Sequence, residues 1–168
     1  MKEPVSQTSA GYYLQGLVQH LNNVLPERQH KHIECWMEDL ELMLGSKNQG
    51  HGADIGYISY NASFSFERFP FKEIDPAIVM ANVIAWIEDN DQHREVYELN
   101  DPRFDVEPSS DSTVEMTLEI EFIEPLMVVP DERGQIIWQG KQWALAPYEI
   151  WTAKHGEVFI AHTRPVAE

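Results

Sequence analysis

Four carboxylates, Glu115, Glu119, Glu121 and Glu124, fall within one short stretch of the chain. Two carboxyl groups at a suitable separation are what general acid/base hydrolysis of a glycoside needs. Glu115, Glu119 and Glu121 lie on one side of an alternating segment, so neighbours two apart repel. A solvated face that keeps a sheet soluble is the better reading of them. His30-Lys31-His32 sets two imidazoles two positions apart, which on a strand would share a face and could hold a metal. No third ligand stands at supporting spacing, the lysine between them opposes a cation, and a solvated connection is preferred. His51-Gly52-Ala53-Asp54 is equally thin as a ligand set. Cys35, the single cysteine, has no local base to generate a thiolate and reads as a small buried side chain. The chain contains no G-x-S-x-G elbow, no glycine-rich phosphate loop and no H-E-x-x-H. The residues therefore predict no catalytic set, no metal and no cofactor, and the protein is read as not an enzyme.

The aromatic residues are more suggestive. Trp138, Trp143, Tyr148, Trp151 and Phe159 cluster in a C-terminal stretch rich in turns. Buried core and interface anchor are both open readings, because Trp and Tyr are enriched at interface centres as well as in cores. Trp138, Trp143, Tyr148 and Trp151 are the candidate subunit-interface residues. A domain with aromatic-rich edges and no reactive set is better suited to assembling than to catalysing.

Composition bounds the rest. The chain has 168 residues, 43% hydrophobic and 24% charged, which suits one globular domain, taken over residues 1–168 with flexible ends at 1–8 and 162–168. Twelve Lys and Arg against 28 Asp and Glu give a formal charge of −16. That balance argues against a protein that grips nucleic acid or an anionic membrane through a basic patch. One cysteine excludes an intramolecular disulfide, and the opening Met1-Lys2-Glu3-Pro4-Val5-Ser6-Gln7 lacks the apolar core of a signal peptide. No stretch reaches the ~18 apolar residues of a membrane helix, so the cytoplasm of the producing cell is the expected location.

Hydrophobic periodicity places these groups on elements. Tyr12, Tyr13, Leu14, Leu17, Val18, Leu21, Val24 and Leu25 recur at three and four, a helix with Ser9 as N-cap, ended by Pro26. Glu27 to His32 reads as a polar connection. Ile33 to Leu44 reads as a strand, with Leu40, Leu42 and Leu44 alternating against Asp39, Glu41 and Met43, and a helix is the competing reading. Gly45 to Asp54 reads as a loop. Ile58, Tyr60, Ala62, Phe64 and Phe66 form the dry side of a half-buried strand. Asp75-Pro76 opens a helix to about Glu88, with Val79, Val83, Trp86 and Ile87 on one side. Phe104 to Val106 is a short strand, Pro108 to Asp111 a turn, and Gln92 to Leu99 carries no clear pattern. Val114, Met116, Leu118, Ile120 and Phe122 define the clearest strand, with Glu115, Thr117, Glu119 and Glu121 on its wet side. A turn at Pro130 to Gly134, a strand from Ile136 and a further one from Gln142 follow. Tyr148 to Trp151 and Val158 to Ile160 are expected to pair as a hairpin. Helices and strands are grouped and do not strictly alternate, which points to an α+β fold: a mainly antiparallel sheet with two helices packed on one face.

Several of these segments form an ordered set. Ser63-Phe64-Ser65-Phe66-Glu67-Arg68 is followed by the Asp75 to Asn90 helix ending Ala85-Trp86-Ile87-Glu88-Asp89-Asn90, by the Val114 to Phe122 strand and by Pro130-Asp131-Glu132-Arg133-Gly134. In order and spacing this middle part, roughly residues 55–138, resembles the R-type tail completion proteins of contractile-tailed phages, which are related to tail terminators. The resemblance implies a terminator-like α+β subunit of the virion tail that forms a homohexamer ring on the head-proximal end of the tail tube. Such a ring would stop tube growth and offer a surface for head–tail joining. The implied partners are further copies of the chain, the tail tube protein, and the sheath and head–tail connector proteins, with DNA passing through the lumen without specific binding. A lumen that lets DNA slide should be acidic, and Glu115, Glu119 and Glu121, together with Glu38, Asp39 and Glu41, are the candidates to line it. Another tail ring protein, an acidic-site hydrolase and a small host-side binding module are the competing readings.

Overall fold

The computed structural model describes residues 11–48, 52–149 and 151. Element order is α1 (Tyr12–Val24), α2 (Glu27–His30), β1 (Ile33–Asn48), β2 (Ala53–Phe69), α3 (Pro76–Asn90), β3 (Arg103–Pro108), β4 (Val114–Pro130), β5 (Ile136–Trp138) and β6 (Lys141–Leu145). Six strands form one sheet in the order β1-β2-β4-β6-β5, with β3 added to β4, and the pairs β3–β4, β4–β6 and β5–β6 are antiparallel. The architecture is the expected α+β fold, mainly sheet.

Contacts divide the chain into two compact units, one from Met1–Met43 with Ile58–Glu124, the other from Leu44–Tyr57 with Pro125–Glu168. In the first unit, alternation does what it predicted: Ile58, Tyr60, Ala62, Phe64 and Phe66 of β2 and Val114, Met116, Leu118, Ile120 and Phe122 of β4 are all buried. The helices supply the opposite wall through Tyr12, Tyr13, Leu14, Leu17 and Leu21 of α1 and Val79, Val83 and Ile87 of α3. Each such side chain contributes about 1.5–3 kcal/mol by leaving water. Phe122 is the meeting point, with ring centroids 5.4 Å from Tyr13, 5.9 Å from Tyr60 and 6.3 Å from Trp86. These tilted and edge-on geometries suit the aromatic quadrupoles. The start of α3 is as read, with the Asp75 carboxylate accepting from Ala77 N at 2.9 Å and Pro76 in the first turn.

The second unit is built on a small cluster. Trp143, Val128 and Ala53 are buried, with Ile55, Ile136, Trp138 and Leu145 packed against them. Gly134 permits the β5–β6 hairpin to close, because a Cβ there would stand 2.0 Å from the Trp143 carbonyl oxygen.

Four local expectations need correction. The α1 N-cap is Gly11, at φ 77°, a left-handed conformation that glycine adopts without strain; Ser9 lies outside the described residues. Glu27 to His30 forms a turn of helix, α2, which Pro26 can open because its ring presets the backbone. β1 extends past Gly45 to Asn48 and β2 begins at Ala53, so strand replaces most of the expected loop. Gln92 to Leu99, where no pattern was legible, is a series of turns that Arg94 ties down by donating to the carbonyls of Asn100 and Glu121, both at 2.6 Å. Tyr148 and Glu149 are helical, with Trp151 N donating to the Pro147 carbonyl at 3.0 Å, so the start of the expected C-terminal hairpin is not strand. Its second arm, Val158 to Ile160, lies outside the described residues.

Candidate functional site

The four carboxylates of β4 divide by parity. Glu124 shares the even-numbered dry side with Phe122 and is fully buried, whereas Glu115, Glu119 and Glu121 face the other way. Two carboxyl groups that must attack one bond from two sides do not fit on opposite faces of a strand. Glu124 has another occupation. Its two oxygens accept from Tyr12 N at 2.7 Å, Tyr13 N at 3.0 Å and the Tyr60 hydroxyl at 2.7 Å. The Tyr60 oxygen in turn accepts from Leu14 N at 3.3 Å. The free N–H groups of the first turn of α1 are thus satisfied by a carboxylate from the centre of the sheet, where the helix dipole also favours negative charge. Burial raises the Glu124 pKa above the usual carboxylate range, against the lowering effect of its bonds from Tyr13, Tyr60, Tyr12 and Gly11. Tyr60 is pushed well above its ordinary value, first by burial and then by the Glu124 charge.

The wet side of β4 is wider than its own sequence suggests. β3 pairs with it in the register Arg103↔Glu119, Asp105↔Thr117 and Glu107↔Glu115, which sets Asp105 and Glu107 beside the glutamates. Residues directly opposite share a face, so the surface carries Glu115, Glu119, Glu121, Asp105 and Glu107 with Arg103 as its cation. Glu119 is exposed, Glu121 half-buried, and half-buried Glu115 accepts from Arg68 N at 2.6 Å.

Among the aromatic candidates, Trp143 and Trp151 are 6% and 7% exposed, while Trp138 and Tyr148 are half-buried. Trp143 Nε1 donates to the Trp138 carbonyl at 3.0 Å, and the two indoles are 5.2 Å apart. Ile137, next to Trp138 on β5 but on the opposite face of the strand, is 80% exposed.

The remaining reactive types are occupied or dispersed. His30 lies in α2 and its Nε2 hydrogen-bonds the Leu25 carbonyl at 3.1 Å, so it shares no strand face with His32. Cys35 is buried, and burial pushes its thiol up to about 11. Among the described residues no group of three or more His, Cys, Asp or Glu is placed to hold a metal ion. A cleft of about 450 Å³ beside α3 is lined by Met80, Ile84, Ile87, Phe104 and Leu118 together with Glu88, Arg94 and Asp101, a mainly apolar surface.

One strand side read from the sequence proves to be uncovered. Leu40, Leu42 and Leu44 of β1 form an apolar strip that is 53%, 77% and 98% exposed. Before it, Ile33, Cys35 and Met37 are buried at odd positions. Asp39, at φ 54° and held by Asn61 at 3.0 Å, stands between the two sets, and the apolar positions change from odd to even numbers across it. That change of parity was the available signal.

A family model, P2 phage tail completion protein R (GpR), matches residues 11–147. A protein of Haemophilus phage HP1 (strain HP1c1), named as an uncharacterized 19.2 kDa protein in the rep-hol intergenic region, is 33% identical over 147 residues, covering 87% of this chain and 89% of the relative. No solved structure matches. The chain belongs to the P2 phage tail completion protein R family, and its role is structural, in the phage tail.

Proposed function

We propose that this tail completion protein closes into a ring, a homohexamer, on the head-proximal end of the tail tube of a contractile tail. The ring ends tube growth and presents its upper surface to the head–tail connector, with the sheath as a lateral neighbour. Assembly takes place in the host cytoplasm and the product remains in the virion. The family match across residues 11–147 is the observation that carries this reading. The surfaces are compatible with it. A ring requires heterologous contacts that close after a fixed rotation, and sheet edges and half-buried aromatics such as Trp138 and Tyr148 supply such contacts. The face formed by Glu115, Glu119, Glu121, Asp105 and Glu107 suits a lumen through which DNA slides without being held, since like charge prevents tight phosphate binding.

Copy number tests the proposal. Quantitative mass spectrometry of purified virions should give about six copies per particle, as a single cyclic ring at one end of the tail demands. A copy number in the range of the tube protein would instead make the chain a repeating component of the tube.

A further inference from the structure

Three sheet edges lie open among the described residues: β1 pairs with β2 alone, β3 with β4 alone and β5 with β6 alone. Open edges present unpaired N–H and C=O groups, and they differ here in side chains. The β1 edge carries the bare Leu40, Leu42 and Leu44 strip among exposed Glu38, Asp39 and Glu41. β3 carries Asp105, Glu107 and Arg103, with Val106 at 42% exposure. β5 contains no charged residue, exposes Ile137, and is bracketed by Arg133 and Lys141. Asp131 and Glu132 precede Arg133 in the turn, where Asp131 Oδ1 is already bound to Arg133 N at 2.8 Å.

We propose that the β1 edge of one copy pairs with the β5 edge of the next, with Leu40 and Leu42 packing against Ile137. This inference rests on the ring reading above and names its contact. Charge selects the pairing. A β1–β1 contact would set Glu38, Asp39 and Glu41 against themselves, and a β1–β3 contact would add Asp105 and Glu107, which is destabilising for directly opposed strands. β5, whose flanking Arg133 and Lys141 balance Asp131 and Glu132, is the least acidic of the three edges, and it meets the leucines of β1 with an exposed isoleucine. Two different edges in contact make a heterologous interface, the kind that generates rings.

The test uses the full chain in sedimentation velocity at concentrations up to about 1 mM, comparing wild type with Leu42→Lys and Ile137→Glu. Both positions are exposed, so the melting temperatures should match wild type, as surface changes of this kind leave stability nearly unchanged. Each variant alone should associate at least about tenfold more weakly than wild type, because each edge loses its apolar anchor and faces like charge. A mixture of the two should recover association, since one copy keeps a native β5 edge and the other a native β1 edge. Glu41→Lys and Lys141→Glu provide a second arm: each should weaken association when made alone, and the double variant should restore it. Wild-type association in either leucine or isoleucine variant alone, or no recovery in the mixture, overturns the edge pairing while leaving the ring to the virion copy number. A wild type that is monomeric throughout also overturns it.

Discussion

Glu124 and Glu119 lie a few residues apart on β4 and have opposite surroundings. Glu124 is sealed in the first unit with backbone donors and a phenol on its oxygens, and it holds the start of α1. Glu119 faces water opposite Arg103. A chain with a formal charge of −16 can lose one outward carboxylate with little consequence, because the outer acids act as a sum. The inner one has no substitute, since removing it leaves several buried donors without an acceptor. The contrast separates the carboxylate that makes this molecule fold from those left facing water.

The largest expected effect falls on the inner side of that contrast. Glu124→Ala should cost about 3–5 kcal/mol in urea unfolding, the magnitude for removing one partner of a buried charged network. Glu124→Gln should cost about 1–3 kcal/mol, because the amide nitrogen cannot accept from whichever donor it faces. A loss under about 0.5 kcal/mol for either would erase the distinction. Trp151→Ala should cost roughly 3 kcal/mol, as a buried indole does, with the loss read in thermal melting and not in association alone.

A smaller effect concerns pH. The folded-state pKa values of Glu124, Tyr60 and Cys35 are all raised, with burial the leading cause in each. Each group's contribution is therefore complete below its unfolded pKa and is lost as pH rises through its folded one. For Cys35 that window runs from 9.0 to about 11. Urea midpoints should fall with rising pH across this range, and Cys35→Ala should flatten part of the decline. At pH 8 the native thiol should react with iodoacetamide about a hundredfold more slowly than in the urea-unfolded chain, the thiolate fraction being lower by about that factor. The smallest effect is outermost: Glu119→Gln together with Glu121→Gln should shift stability by about 0.5 kcal/mol or less.

The sequence showed most clearly what depends on near neighbours. The alternation of β2 and β4, the Asp75–Pro76 start of α3 and most of the apolar stripe of α1 are found as read, with Val24, 40% exposed, the exception at the helix end, because period and capping are local properties. The cap of α1 was not legible, since its acceptor stands 112 residues along the chain from Tyr12 and becomes a neighbour only after the sheet forms. The leucines of β1 read as one side of a strand, which they are. Whether that side would be covered depends on which strand ends the sheet, and a single strand's pattern does not contain that information. The aromatic cluster shows the same limit: Trp143 and Trp138 have identical side chains a hairpin apart, and their unequal burial follows from the β5–β6 pairing.

On the ring proposal, this subunit ends the tail by assembling with copies of itself. Electron microscopy of lysates from phage lacking the gene tests it most directly, through the tail-length distribution. The account predicts tails of irregular, excessive length without heads, and complementation should restore uniform length. Tails of normal length joined to heads in the absence of the protein would contradict it.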